Sequence, residues 1–325
     1  MNVNQLIERR SFGHTGLAVS CLALGGHEYL PDGRMKGWGD DPENAVKAGY
    51  ERADFGGFER QAIVARAIAR GVTFFDATQD PEVSALGRAL GEHPSGPDVL
   101  VQVRPQEMCY RYDPGNATML APGRLRSEVE RLRDLLQRDR IDILNLGIER
   151  EALEGSPDYF SRLGDVLGEL KSSGLIQFVA CDSLFSGESQ YLAMISSGCF
   201  DIAWLSFGPL QPAPADEVLP TAKVAGLAVV AREAFSKGTL FRVAANAGIQ
   251  LDTGQLAAAA ERWILNHTEV SVLAIGVRTV RELDENLDAV KTTLDDEDRE
   301  LLDQVLATPE AGALLADHAR EFRTP

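Results

Sequence analysis

The sequence is poor in basic residues. Its 325 residues include 32 Lys and Arg against 49 Asp and Glu, which gives a formal net charge of −17 at pH 7. A nucleic-acid binder would need a basic stripe, and an anionic membrane surface would repel such a chain. We therefore expect neither a nucleic-acid partner nor a membrane partner. A small-molecule substrate is the expected partner, and the oligomeric state stays open.

Cysteines and long apolar runs are also scarce. The four cysteines are scattered, without CxxC spacing, which argues against a zinc knuckle or a redox pair and is typical of reduced, intracellular proteins. No run approaches the ~20 apolar residues that span a bilayer. The first ten residues lack the apolar core of a signal peptide. These absences predict a cytoplasmic protein.

Short β-type runs alternate with longer helical runs along the chain. The predicted strands are Ala18–Leu24, Val72–Phe75, Val99–Val103, Ile141–Leu146, Phe178–Cys181, Ile202–Leu205, Leu227–Ala231 and Val272–Ile275. Stretches with helical periodicity lie between them, and Arg124–Arg138 carries an amphipathic apolar face. This alternation predicts an α/β fold of parallel strands closed as a (β/α)8 TIM barrel. Neither GxGxxG nor a P-loop is present, which disfavours an open nucleotide-binding sheet.

Three connections are longer than a plain turn needs, at residues 27–58, 105–122 and 209–220. Each follows a predicted strand, and the loops after the strands form the catalytic face of a barrel. Long loops at such a face are commonly lids or binding loops. We expect one barrel domain over residues 1–325 with a lid-like insertion at about 27–58.

Charged side chains cluster where the predicted strands end. The candidates for proton transfer or charge stabilisation are His27, Glu28, Asp76, Glu82 and Arg104. The candidates for substrate contact are Trp38, Asp182, Trp204 and Arg232. Acids and guanidinium groups that converge on one mouth indicate a site, and the arginines favour an anionic ligand. A metal set from His27, Glu28 and Asp76 is disfavoured because neither HxH nor HExxH spacing occurs, so we predict no metal.

Several segments resemble the aldo/keto reductases, in order along residues from about 10 to about 305. They are Arg10–Gly26, Gly71–Thr78, Leu86–Leu90, Ile141–Leu146, Ser173–Ala180 and Gly276–Asn286. The resemblance implies a TIM barrel with an N-terminal β-hairpin and carbonyl reduction with NADPH. The cofactor-binding residues that it implies are Ser183, Gly276, Arg278, Glu285 and Asn286.

The chain departs from the family's pattern at the reacting centre. The family uses an Asp, Tyr, Lys and His set, of which only Asp76 keeps its place. Proline, arginine and glycine stand at the other positions, namely Pro81 for the tyrosine, Arg104 for the lysine and Gly147 for the histidine. Arg232 stands where an aromatic ring would stack on the nicotinamide. The resemblance thus implies NADP(H) as cofactor, whereas these changes argue against its nicotinamide end.

Three functions stay open at this point. The first is acid–base chemistry, such as elimination, dehydration or epimerisation, on a small polar compound that is sugar-like or carboxylated. In it Asp76 or Glu82 takes a proton, and His27 or Glu28 returns one. The second is an NADP(H)-dependent oxidoreductase whose proton donor is Glu82 or a tyrosine from the loops, although loop packing is the favoured role of those tyrosines. They are Tyr29, Tyr50, Tyr110 and Tyr112. The third is a non-catalytic ligand-binding or regulatory barrel.

Overall fold

The computed structural model describes residues 6–182, 187–250 and 252–324. Within these residues, eight parallel strands close into a barrel in which each strand pairs with the next along the chain and the last pairs with the first. The strands are β3 (Leu22–Leu24), β4 (Phe74–Ala77), β5 (Leu100–Val103), β6 (Ile141–Gly147), β7 (Ile176–Asp182), β8 (Ile202–Ser206), β9 (Ala228–Arg232) and β10 (Val272–Ile275). The predicted (β/α)8 barrel is confirmed.

A two-stranded hairpin precedes the barrel. It consists of β1 (Arg9–Ser11) and β2 (Ala18–Ser20), which pair antiparallel. The prediction of a single strand over Ala18–Leu24 is therefore wrong. The chain bends at Cys21, because β2 pairs with β1 whereas β3 pairs with β4 and β10, and one straight strand cannot make both sets of bonds.

The second barrel strand begins two residues later than predicted, at Phe74 rather than Val72. The reason is that the backbone N–H of Thr73 donates to the Ser20 hydroxyl at 3.0 Å instead of to a neighbouring strand. The strand also ends two residues later than predicted, at Ala77 rather than Phe75. This later end puts Asp76 inside the strand, on the face that points into the barrel mouth.

Helices surround the barrel. They are α1 (Pro42–Ala45), α2 (Phe58–Ala69), α3 (Asp80–Gly91), α4 (Arg124–Leu136), α5 (Arg150–Gly155), α6 (Tyr159–Ser172), α7 (Glu188–Ser196), α8 (Val218–Val224), α9 (Thr239–Asn246), α10 (Thr253–Leu265), α11 (Val280–Ala289), α12 (Asp296–Leu306) and α13 (Pro309–Arg323). Along α4 the apolar face predicted from the sequence is buried, with Leu125, Val129 and Leu132 against the core.

In the described part of the chain, no helix is both long and apolar enough to cross a membrane.

Apolar side chains fill the lower part of the barrel. Phe12, from the hairpin, packs edge-on against Phe74 with ring centroids 5.7 Å apart, and Phe74 packs in the same way against Trp204 at 6.0 Å. All three side chains are buried. Since the N-terminal end is closed by this aromatic stack, the polar side chains of the barrel gather at the opposite end, where the strands finish.

The predicted insertion lies between β3 and α2 and contains the short helix α1. Its two ends are tied together by Glu28, which accepts from Lys36 Nζ at 3.1 Å and from the Gly56 backbone N–H at 2.7 Å. Trp38 stacks on Tyr112 of the second long connection, residues 105–122, with ring centroids 6.3 Å apart. The insertion therefore rests on the loop after β5, on the same face of the barrel as the strand ends.

Candidate active site

Asp182, the last residue of β7, is the centre of a buried polar cluster. Its Oδ2 accepts from Arg104 Nη2 at 2.6 Å and from the Tyr110 hydroxyl at 2.8 Å, and its Oδ1 accepts from Arg232 Nη2 at 3.0 Å. The side chain of Asp182 has no exposed surface. Arg104 follows β5 and Arg232 ends β9, so the barrel brings three distant segments to one carboxylate. We call these four residues the Asp182 cluster.

Tyr110 enters the cluster through a strained backbone. Its φ is +53°, in the left-handed region that bulky residues rarely adopt. A Cβ at position 147 would collide with the Tyr110 ring, so Gly147 is the residue that makes room for it. Burial raises the pKa of the Tyr110 phenol well above its usual range, although the Arg104 guanidinium, 5.1 Å from the ring centroid, acts in the opposite direction. A tyrosine thus fills the place where the resemblance implies a histidine.

A second polar group joins His27 to Glu82. His27 Nδ1 lies 2.9 Å from Glu82 Oε1, and Glu82 also accepts from Gln79 Nε2 and from the Thr78 backbone and hydroxyl. Burial opposes ionisation of Glu82, but His27 and the backbone N–H groups lower its pKa to about 2. Glu82 is therefore a permanent carboxylate, and in the capping box at the start of α3 it has a structural role as well.

His27 is the more accessible partner of this pair, with 31% of its side chain exposed. Burial disfavours its imidazolium form, yet the Glu82 carboxylate outweighs burial and raises the pKa of His27 above its usual value. Hydrogen bonding of one ring nitrogen to a fixed carboxylate orients the other, which is how a histidine is prepared for proton transfer. The pair can give a proton and take it back.

Asp76 lies beside this pair and beside Arg104. Its Oδ1 accepts from Gln102 Nε2 at 2.6 Å, and only 8% of the residue is exposed. Burial raises the pKa of the Asp76 carboxyl, while Arg104 and His27 act to lower it. The mouth therefore holds a carboxyl group and an imidazole whose pKa values are both moved upward, toward neutral pH for the carboxyl, which is the arrangement that acid–base chemistry needs.

Other predicted residues lie further from this centre. The carboxylate of Glu28 is used within the insertion, as described above. Trp38, within the insertion, is half-buried against the loop after β5. Trp204 is only 2% exposed and packs against Phe74 in the apolar barrel core. The structure thus brings His27, Asp76 and Arg104 together with Glu82, Asp182 and Arg232 at one mouth, and leaves Glu28, Trp38 and Trp204 outside it.

The predicted cofactor segment lies at the end of β10 and on α11. Gly276 is exposed, and the Tyr29 hydroxyl lies over its Cα, where a Cβ would collide with it. Arg278 donates to Glu282 from its backbone, Nε and Nη2, and Glu285 pairs with Arg281 at 3.6 Å. Asn286 is half-buried on α11. The predicted contact Ser183 lies outside the described residues.

The Asp182 cluster does not fit the nicotinamide end of NADP(H). Where the resemblance implies a stacking aromatic ring, the Arg232 guanidinium is bound to Asp182 and, at 3.0 Å, to Glu233. A cation beside an oxidised nicotinamide ring is repelled. Arg278 and the exposed backbone of Gly276 remain compatible with a phosphate, so the misfit is confined to the reacting end.

Two further observations complete the site. Among residues 6–182, 187–250 and 252–324, no group of three or more His, Cys, Asp or Glu side chains is placed to hold a metal ion. Tyr110 is the central residue that sequence reasoning undervalued, because it was interpreted as loop packing. The signal that could have found it is Gly147, since a glycine at the end of a buried strand leaves space that a neighbouring loop can fill.

Comparison with known proteins agrees with this architecture. The model of the aldo/keto reductase family matches residues 55–307, more than half of the chain. Aldo-keto reductase AKR11C1 from Bacillus halodurans is similar in structure in its holo form, with a TM-score of 0.67 and 18% sequence identity over 92% of this chain and 96% of that one. Its apo form gives a TM-score of 0.64 and 17% identity over the same shares. A search of curated proteins gives no match.

Proposed function

This chain belongs to the aldo/keto reductase family, and from that premise we propose that it acts on a small polar carbonyl or hydroxyl compound by acid–base chemistry. Family membership supports an enzyme, and within the family an oxidoreductase. The observation that carries the acid–base proposal is the His27–Glu82 pair beside Asp76, with 2.9 Å between the paired atoms. This arrangement supplies two proton-transferring groups, His27 and Asp76, at one mouth.

The two groups have different roles in this proposal. Asp76 takes a proton from the carbon next to a carbonyl or carboxylate. The His27 imidazolium gives its proton to the hydroxyl that leaves as water, or to the opposite face of the carbon in an epimerisation. Glu82 stays ionised and orients His27, since its pKa of about 2 excludes it as a proton donor near neutral pH.

Proton exchange at carbon tests this proposal without knowledge of the product. The enzyme is incubated in D2O with a panel of hydroxy acids and keto sugars, and loss of the carbon-bound proton signal is followed by NMR. We expect His27→Gln and Asp76→Asn to slow the exchange by about 10²–10⁴-fold, the usual contribution of a general acid or base. Arg281→Gln, on the exposed face of α11, is the matched control. Exchange that survives both substitutions would contradict the proposal.

An oxidoreductase is the second candidate, and membership of the aldo/keto reductase family favours it. A tyrosine hydroxyl that lies between a guanidinium and a carboxylate is a candidate proton donor, and Tyr110 has both neighbours. Calorimetric titration with NADPH and NADP+ distinguishes the two candidates. Micromolar binding, followed by hydride transfer that Tyr110→Phe abolishes, would support the oxidoreductase. No binding at millimolar cofactor would leave the acid–base enzyme.

Either candidate function is compatible with a reducing cellular compartment. The cysteines Cys21, Cys109, Cys181 and Cys199 are all free thiols. Unpaired, largely buried cysteines are typical of proteins that work in a reducing compartment. The cytoplasm is therefore the location that we propose, and cell fractionation would test it.

A further inference from the structure

Arg104 is a buried guanidinium with hydrogen-bond donors to spare. Only 7% of the residue is exposed, and its one hydrogen bond to the described residues runs from Nη2 to Asp182. A guanidinium carries five N–H groups. The Nε of Arg104 is buried without an acceptor among those residues. Buried donors without acceptors are costly, so this side chain is prepared for an acceptor that the described residues do not supply.

Arg232 repeats the pattern on the other side of Asp182. It donates from Nη2 to Asp182 and from Nη1 to Glu233, whereas its Nε is buried and has no acceptor within the described chain. Both guanidinium groups bind the same carboxylate at 2.6 and 3.0 Å, so they are held close together despite their like charge. Asp182 thus acts as a fixed spacer between two cations.

Among the ion pairs that join these residues, the cations outnumber the anions by one. Lys237 Nζ lies 3.5 Å from Glu233 at the exposed edge, so the cations Arg104, Arg232 and Lys237 face the anions Asp182 and Glu233, three against two. A singly charged anion would complete the balance.

We propose that the substrate carries a carboxylate, which binds to the spare donors of Arg104 and Arg232 beside the Tyr110 hydroxyl. This inference rests on the proposed acid–base function and names its substrate class. Arg104 interacts electrostatically with both Asp182 and Asp76, so the anion site is close to the proton-transferring groups. The reacting carbon is then the one next to the carboxylate.

The same two arginines stabilise the intermediate of that reaction. When Asp76 takes the proton from the carbon, the electron pair of the C–H bond moves into the carboxylate and forms an enediolate with a second negative charge. Guanidinium groups aimed at the oxygens where charge develops stabilise it. Reprotonation of the carbon by His27 gives the epimer. Alternatively, loss of the neighbouring hydroxyl as water, with the proton from His27, gives the unsaturated acid and its keto tautomer. A 2-hydroxy acid of the sugar-acid class meets these requirements.

Matched pairs of ligands test the proposal. Aldonates of four to six carbons are compared with the alditols of the same length and configuration, which carry CH2OH in place of the carboxylate, and with the corresponding aldose phosphates. Binding is measured by calorimetry at low salt. We expect at least one aldonate to bind ten times more tightly than its alditol, with an affinity that falls as salt is raised. Equal binding of the alditol, tighter binding of the phosphate, or no binding by any aldonate would overturn the proposal.

Variants then locate the anion. Arg232→Gln should weaken aldonate binding at least tenfold, and Arg281→Gln should leave it unchanged. Arg104→Gln leaves Asp182 with one cation fewer and can impair folding, so Arg104→Gln with Asp182→Asn serves as the second variant, checked by circular dichroism. Aldonate affinity that is unaffected in the folded arginine variants would overturn the site.

One more variant separates this inference from the proposed function. His27→Gln should bind the aldonate as the unmodified protein does, and exchange no carbon-bound proton. Binding that depends on the arginines, combined with exchange that does not depend on His27 or Asp76, would overturn the acid–base function and leave the carboxylate site standing. Proton exchange that depends on His27 and Asp76, combined with aldonate binding that does not depend on the arginines, would overturn the carboxylate site and leave the acid–base function standing.

Discussion

Two carboxyl groups in this protein are equally buried but differ in their hydrogen-bond partners. Asp182 and Glu261 both have no exposed surface. Asp182 accepts three hydrogen bonds, two of them from arginines. Glu261, on α10, has two oxygens without any partner in the described part of the chain, and burial raises its pKa well above the usual range. Burial by itself therefore does not decide whether an acid is charged; the supply of donors does.

The difference follows from the place of each residue in the barrel. The strand ends converge on one mouth, so Asp182 meets side chains from β5 and β9. Glu261 lies on an outer helix whose inner face packs against apolar side chains. The neighbouring cation, Arg262, reaches away to Asp298 at 2.7 Å. Burial accordingly disfavours the ionised form of Glu261, while Asp182 organises a site.

Removal of Asp182 should give the largest effect. Asp182→Ala leaves two guanidinium groups close together without their shared anion, and we expect a loss of about 3–5 kcal/mol in the free energy of unfolding. Urea denaturation followed by circular dichroism measures it. Asp182→Asn keeps the shape of the side chain and loses its charge. Its free energy of unfolding should lie between those of the unmodified protein and Asp182→Ala. A loss below about 1 kcal/mol for the alanine variant would mean that the cluster does not depend on this charge.

Removal of one donor should weaken the cluster less. Tyr110→Phe keeps the ring over Gly147 and removes only the hydroxyl that donates to Asp182 at 2.8 Å. Hydrogen bonds to charged groups contribute about 1.5–3 kcal/mol, so we expect a loss in that range. A double-mutant cycle with Asp182→Asn should show that the two losses are not additive. Full additivity would show that the hydroxyl and the carboxylate do not interact.

Replacement of Glu261 should have the opposite sign. Glu261→Leu removes buried oxygens that lack partners, and we expect a gain of about 1–3 kcal/mol at pH 8. The folded protein keeps the proton on Glu261, whereas the unfolded chain releases it above its ordinary pKa, so Glu261 costs stability increasingly as pH rises above that value.

The matched control for this prediction is Glu261→Gln, which keeps the shape and cannot ionise. It should remove the decline of stability with pH that Glu261 causes, and thermal unfolding at pH 5 and pH 8 measures that decline. A variant that is less stable than the unmodified protein at pH 8 would show that Glu261 has a partner that stabilises it.

Glu82 extends the comparison to a third buried carboxyl, and its pair with His27 should give the smallest effect. Because the folded pKa of His27 is raised, the pair's contribution is complete below the unfolded pKa of histidine and is lost as pH rises through the folded value. With the imidazole about a third exposed, we expect a difference of about 1 kcal/mol or less between pH 6 and pH 9. Stability of the unmodified protein relative to His27→Gln, measured at both pH values, tests it. A larger difference at pH 9 than at pH 6 would contradict the pair.

Much of the site could be predicted from residues that end strands. Asp76, Arg104, Asp182 and Arg232 were expected at the mouth because parallel strands finish at the same end of a barrel, and the structure places them there. Trp204 carries the same sequence signal and yet packs in the core, because it lies in the middle of β8, two residues before the strand ends at Ser206. The position of a residue along its strand therefore decides whether its side chain enters the mouth or the core.

Alternation of apolar runs and helical periods was enough to determine the barrel, because each strand and each helix must bury one face and the local pattern shows which face that is. The local pattern did not show which polar side chains pair with one another. Tyr110 lies over Gly147 and donates to Asp182, and Arg104 and Arg232 share the Asp182 carboxylate. These contacts join residues that are 37 to 128 positions apart in the sequence, and the lack of a partner for Glu261 among the described residues is likewise set by the packing of distant segments. Hydrogen bonds act over about 3 Å, so only the tertiary structure decided which of these groups meet.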